Sequence, residues 1–377
     1  MNYYIIPKSN FNIKIKVQLT DEKTEPFLSY SLIYYLNNIN NQISNLEESN
    51  NEQMLDYINK IVNPFEFIHT NVPGSIISVS KVKPESCIFF ELMEILQIGN
   101  IDEILLSKQK MNIAHITANS NSTTYLFDIL RENNEDNVLI ENFIYNDLYD
   151  KFINNTCEKK MDLFIFELKE DDYSDIKNYI KNMLLILNII LKQQSDNGIS
   201  IIKIDNIFYK PIIDIIYIFS SIFEKIYLVK PLISKVTKSE RYIVCKFFNA
   251  NIVRQTKLLE QTEENISKKL IDGSFDIKYI KSVIQNEISY YFLNKIEESN
   301  AVIGQQQLES YDQIINIFKN KNRDEKIENL KRNHIQKCIQ WCERNQLPHN
   351  KFLDKINIFL NYKKKEIDEV ITKPSEL

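Results

Sequence analysis

The sequence predicts an α/β protein whose central sheet is mostly parallel, covered by helices on both faces, and finished by an antiparallel last strand. Three observations predict it. Between residues 85 and 248 the apolar runs are short, helical stretches separate most of them, and the last two are joined without a helix.

The elements follow in order. Residues 1 to 80 mix strand-like alternation over Phe11 to Val17 with a helix around Leu28 to Ile43 and a polar run to about Gln53. They are expected to form an appended N-terminal α/β region. The central strands are expected at Ile113 to Thr117, Val138 to Ile140, Asp162 to Phe166, Ile199 to Ile204, Lys225 to Val229 and Arg241 to Cys245. Between the last two, Lys230 to Glu240 carries a proline and no helical periodicity, as a final hairpin requires. After residue 250 the periodicity is helical: Ile280, Val283, Ile284, Ile288, Tyr291 and Phe292 recur at three- and four-residue steps. Further helices are expected over 304 to 319, 323 to 345 and 350 to 370. The organisation predicted is therefore 1–80, a sheet domain over 81–250, and a helical region over 251–377.

Composition narrows the function. Forty-six basic and 51 acidic side chains leave a net charge of −5, so the whole chain is not an electrostatic nucleic-acid binder, and any RNA site must be a local patch. Five scattered cysteines do not make a secreted disulfide framework, which points to a reducing, cytoplasmic setting. No targeting signal is evident at the N-terminus. The most apolar stretch, Pro211 to Val229, carries Asp214, Glu224 and Lys225, whereas a spanning helix needs about 20 nearly uncharged residues. No membrane partner is expected, and this stretch should be a buried helix followed by a strand.

Two segments carry chemistry. One is Val229-Lys230-Pro231-Leu232-Ile233-Ser234-Lys235-Val236-Thr237-Lys238-Ser239-Glu240-Arg241-Tyr242-Ile243-Val244-Cys245, and the other is Asn197-Gly198-Ile199-Ser200-Ile201-Ile202-Lys203. Two more support them: Asp162-Leu163-Phe164-Ile165-Phe166-Glu167, and Ser86 to Ile95. In this order they resemble the core of the FtsJ/RrmJ-type RNA ribose 2′-O-methyltransferases, over somewhat less than half of the chain. The long flanks look like those of the FtsJ-like proteins of large cytoplasmic DNA viruses, whose setting would be host cytoplasm or virion. The resemblance implies a Rossmann-like methyltransferase sheet, S-adenosylmethionine as cofactor, and RNA, including capped mRNA, as substrate.

The family's reaction uses a Lys-Asp-Lys-Glu tetrad, in which one lysine takes the proton of a ribose 2′-hydroxyl. The matching positions are Glu91, Glu167, Lys203 and Glu240, with Lys203 as base and Glu240 and Glu167 orienting it. A free lysine, at a pKa of about 10.4, must be brought toward neutrality to act as a base. Three carboxylates around a single lysine do the reverse, so slow chemistry or none is expected. Lys81 and Lys83, upstream of Glu91, are the alternatives if the register slips.

After the first central strand the family has a glycine-rich cofactor turn, where the missing Cβ lets backbone approach the ligand. Here Ala118-Asn119-Ser120-Asn121-Ser122-Thr123 contains no glycine. Asn119 and Asn121 tolerate the left-handed region, and Asn121 or Ser122 is placed to cap the next helix. Glu141, at the end of the second central strand, stands where an acid hydrogen-bonds ribose hydroxyls. A surface glutamate is the plain alternative.

Lys230, Lys235, Lys238 and Arg241 concentrate positive charge beside Glu240 and are the candidate RNA contacts, or else a solvated basic face. His334, Cys338 and Cys342 are spaced four apart, the stripe of a packed helix, and no metal is expected there. The leading reading is an FtsJ-like methyltransferase. Its rivals are an inactive relative that binds RNA or scaffolds a capping or transcription partner, and a chain whose helical C-terminal part carries the function.

Overall fold

The computed structural model describes residues 2–9, 12–47, 52–117, 122–131, 136–154, 159–168, 170–320 and 323–350. Its seven-stranded sheet contains β1 (Asn2–Ile6), β3 (Asn112–Ile116), β4 (Asn137–Glu141), β5 (Met161–Glu167), β6 (Gln194–Ile204), β7 (Phe223–Lys230) and β8 (Arg241–Phe248). The spatial order is β1-β7-β8-β6-β5-β3-β4. β4, β3, β5 and β6 pair in parallel. β8 then enters antiparallel between β6 and β7, and β1 closes the edge antiparallel to β7. A mostly parallel sheet with an inserted antiparallel last strand is the Rossmann-like methyltransferase arrangement that the sequence predicts.

The strands of the middle lack the alternation of half-exposed ones because both faces are covered. Leu163, Phe164, Ile165 and Phe166 are all buried, as are Ile201, Ile202 and Ile204. One face is packed by α8 (Ile176–Gln193) and α9 (Lys210–Ile222). Asp175 caps the start of α8 by accepting the Asn178 amide, and Pro211 stands in the first turn of α9, where its missing N–H costs nothing. α9 followed by β7 is the buried helix and strand expected over Pro211 to Val229. Among the described residues no helix is long and apolar enough to cross a membrane.

The described residues fall into two compact units: those within 1–46 and 85–312, and those within 47–84 and 313–350. This grouping differs from the three consecutive parts drawn from the sequence, because distant segments pair. β1 belongs to the main sheet, and β2 (Ile15–Thr20) pairs antiparallel with β9 (Tyr279–Ile284). The helical expectation at Ile280 to Ile284 is thereby corrected. A β-rich Tyr-Ile-Lys-Ser-Val-Ile segment takes the strand state once a partner strand is present, since tertiary pairing overrides a three-and-four spacing. Asp214 of α9, fully buried, accepts the Val283 amide at 2.8 Å and pairs with Lys210, fastening β9 to the core. α1 (Tyr30–Glu47) and the helix Tyr290–Lys319 fall where helices are expected.

In the second unit, α2 (Glu52–Val62) packs with the helix Arg323–Arg344. His334, Cys338 and Cys342 are buried on that helix. The His334 Nδ1–H donates to the Ile61 carbonyl at 2.9 Å, and burial, helped by Lys337, pushes the imidazole down to about 4. The helix expected over 350 to 370 lies outside the described residues.

Candidate functional site

The site is built by strand register. Glu167 of β5 is the partner of Lys203 of β6, and Lys203 is the partner of Tyr242 of β8. In-register partners share a face, so three neighbouring strands present an acid, a lysine and a tyrosine side by side. The fourth member arrives on α3 (Ile88–Leu96), an apolar helix that nonetheless buries Glu91 and Glu94. A buried carboxylate needs partners. Glu91 takes the Tyr242 hydroxyl and Lys203, while Glu94 accepts the Leu232 amide at 2.6 Å.

Lys203 Nζ lies 3.4 Å from Glu91 Oε2 and 3.4 Å from Glu240 Oε2. Burial alone would favour the neutral amine, but Glu91, Glu240 and Glu167 outweigh it and hold the lysine above its ordinary value of 10.5. The same attraction acts in reverse on the acids. Burial would raise the Glu240 carboxyl, yet Lys203 and the Tyr173 hydroxyl hold it below the usual range. For Glu167 the opposing influences on burial are His115, Lys203 and Thr117. Thr117 Oγ donates to Glu167 Oε2 at 2.5 Å. His115, fully buried on β3, bonds through Nδ1 to Thr123 and holds Nε2 3.7 Å from the same oxygen, too long for a hydrogen bond.

All four tetrad positions therefore meet. His115, Thr117, Tyr173 and Tyr242 join them without having been singled out as site residues. His115 and Thr117 stand at the C-terminal end of β3, where open parallel sheets bind ligands, and that position was a usable signal. Tyr173, from the four-residue turn α7 (Glu170–Tyr173), carried none. Lys81 and Lys83 belong to the second unit, where Lys83 donates to Ser78.

The sheet changes direction of winding between β3 and β5, and there the Thr117–Glu167 hydrogen bond joins the two strand ends. Of the cofactor candidates, Asn119 and Asn121 lie outside the described residues. Ser122 opens α5 (Ser122–Arg131) and is buried, its Oγ accepting the Ser86 amide at 2.9 Å. Glu141 ends β4 beside Ile116, its carbonyl accepts the Thr117 amide at 2.8 Å, and its carboxylate pairs with Lys151.

Two of the four RNA candidates face inward. Lys230 is buried and donates to the carbonyls of Lys235, Lys238 and Glu240 at 2.9, 2.7 and 2.8 Å. Burial and then Arg241 push its amine down to about 7, against the opposing charges of Glu240 and Glu91. Arg241, 1% exposed, donates to Asn300 Oδ1 at 2.9 Å and to the Ser239 carbonyl at 3.1 Å. Both staple the hairpin loop and are not available as phosphate contacts, a correction that charge counting could not anticipate because it carries no direction. Lys235 is exposed and Lys238 half-buried.

The sheet is Rossmann-like, with a lysine and carboxylate cluster at the C-terminal end of its parallel strands. No protein-family model matches the chain. No curated protein matches it either. Among solved structures, a similar chain is a Plasmodium falciparum protein provisionally described as a ribosomal RNA methyltransferase. It is 17% identical with a TM-score of 0.33, over 43% of this chain and 97% of that one.

Proposed function

We propose that this chain is an FtsJ-like protein that binds RNA through its methyltransferase-type domain without using Lys203 as a base for ribose 2′-O-methyl transfer. The observation that carries the proposal is the seat of Lys203 Nζ, 3.4 Å from each of two carboxylates. A base must lose its proton near neutral pH, and this environment stabilises the proton instead. What supports RNA as partner is the resemblance of the Lys230 to Cys245 segment, together with Lys235 and Lys238 on the loop beside the cluster.

The fit to S-adenosylmethionine is poor among the described candidates. Glu141, the acid placed for a ribose, is engaged by Lys151, and the Ser122 hydroxyl is turned to the Ser86 amide. The Ser122 hydroxyl is committed to the Ser86 backbone and one Glu141 oxygen to Lys151, so no chemical step is drawn through the cofactor. The convergence of Glu91, Glu167, Lys203 and Glu240 favours a second reading, an active methyltransferase. Calorimetric titration with S-adenosylmethionine and a methyl-transfer assay on capped and uncapped RNA separate the two. RNA binding without transfer is expected. Transfer that disappears in Lys203→Ala would overturn the proposal.

A further inference from the structure

The α7 turn is the next element after β5 and brings Tyr173 to the edge of the cluster. Its ring packs edge-on against Tyr179, with centroids 6.2 Å apart and planes at 71°. Tyr179 is itself buried and donates its hydroxyl to the Asn206 carbonyl at 3.1 Å. Held in this way, the Tyr173 hydroxyl donates to Glu240 Oε1, while Lys203 lies on the other oxygen, Oε2. One carboxylate thus carries the site lysine on one side and a hydroxyl from the chain itself on the other.

We infer that Tyr173 is an internal stand-in for a ribose 2′-hydroxyl, an autoinhibitory contact that RNA must displace from Glu240. The inference rests on the RNA-binding reading and deepens it. A ribose hydroxyl entering beside Lys203 needs an acceptor, and Glu240 Oε1 is the carboxylate oxygen that the Tyr173 hydroxyl occupies. A hydrogen bond to a charged acceptor is among the stronger kind, so the tyrosine competes effectively. DNA has no 2′-hydroxyl and gains nothing from displacing it.

The experiment compares the full-length protein with Tyr173→Phe, which keeps the ring and removes only the hydroxyl. Affinities for a labelled single-stranded RNA and for DNA of the same sequence are measured by fluorescence anisotropy. The RNA affinity should rise about tenfold and the DNA affinity stay unchanged, so the RNA-to-DNA ratio rises about tenfold. Adding Glu240→Ala to Tyr173→Phe should return the ratio to its wild-type value. An unchanged ratio, or equal changes for RNA and DNA, overturns the inference and leaves the RNA-binding reading standing. If neither protein binds RNA, both fall.

Discussion

Lys203 and Glu91 stand 3.4 Å apart, joining the end of β6 to a helix on the sheet's face, and the Tyr242 hydroxyl completes the Glu91 side of the pair. In the tetrad that the sequence resembles, a lysine occupies the Glu91 position. Under the proposed FtsJ-like reading, Glu91 stands where a like charge would push protons off Lys203, and its opposite charge retains them. Both residues are nearly buried, so the exchange acts with little screening by solvent.

Glu91→Ala should be strongly destabilising, because it removes one of the two carboxylates 3.4 Å from a buried ammonium and strands the Tyr242 hydroxyl. A loss of about 3 kcal/mol is expected, in the range for breaking one partner of a buried pair. Urea unfolding of the two proteins measures it. Glu91→Gln should cost less, since it leaves Tyr242 an acceptor.

The cluster also sets a pH dependence. Glu167 and Glu240 titrate below the ordinary glutamate value of 4.5 in the folded chain, so their stabilisation is present above about that pH and is lost as pH falls through the folded values. Lys203 titrates above 10.5, so its contribution is full below that pH and is lost only as pH rises through the higher folded value. Melting temperature should therefore be nearly flat with respect to this cluster between about pH 5 and 10. The acid-side fall should be shallower in Glu240→Gln.

Lys235→Glu and Lys230→Met should differ in kind. The exposed Lys235 is a phosphate contact in the proposed function, so its reversal should weaken RNA binding and lower the salt slope by about one. Lys230→Met removes three donors to loop carbonyls and should cost about 2–4 kcal/mol of stability instead. Salt-dependent RNA titrations and thermal melts distinguish the two effects.

Asp214→Ala should loosen β9, because it deprives Lys210 of its partner and the Val283 amide of its acceptor. Faster amide hydrogen exchange confined to Ile15–Thr20 and Tyr279–Ile284 is expected, with the main sheet protected as before.

Much of this architecture was legible in the sequence. Each short apolar run became a strand, because a doubly covered sheet demands continuous burial, although β6 starts well before Ile199, at Gln194. The spacing of Lys203 and of Glu240 before Tyr242 carried the site, since register converts those positions into neighbours. What was not legible depends on partners far along the chain. β9 follows a helical spacing and became a strand because β2 is available. Lys230 and Arg241 look like a basic patch and turn inward because hairpin carbonyls and Asn300 await them. Tyr173 belongs to no motif, and only the placement of α7 brings it to Glu240.

The most direct test is the titration of the Lys203 side chain by NMR, with Lys203→Arg to assign the resonance. An ammonium that persists without change from pH 6 to pH 10 is the predicted result. A deprotonation midpoint near pH 7 to 8 would contradict it, and would return Lys203 to the role of a base.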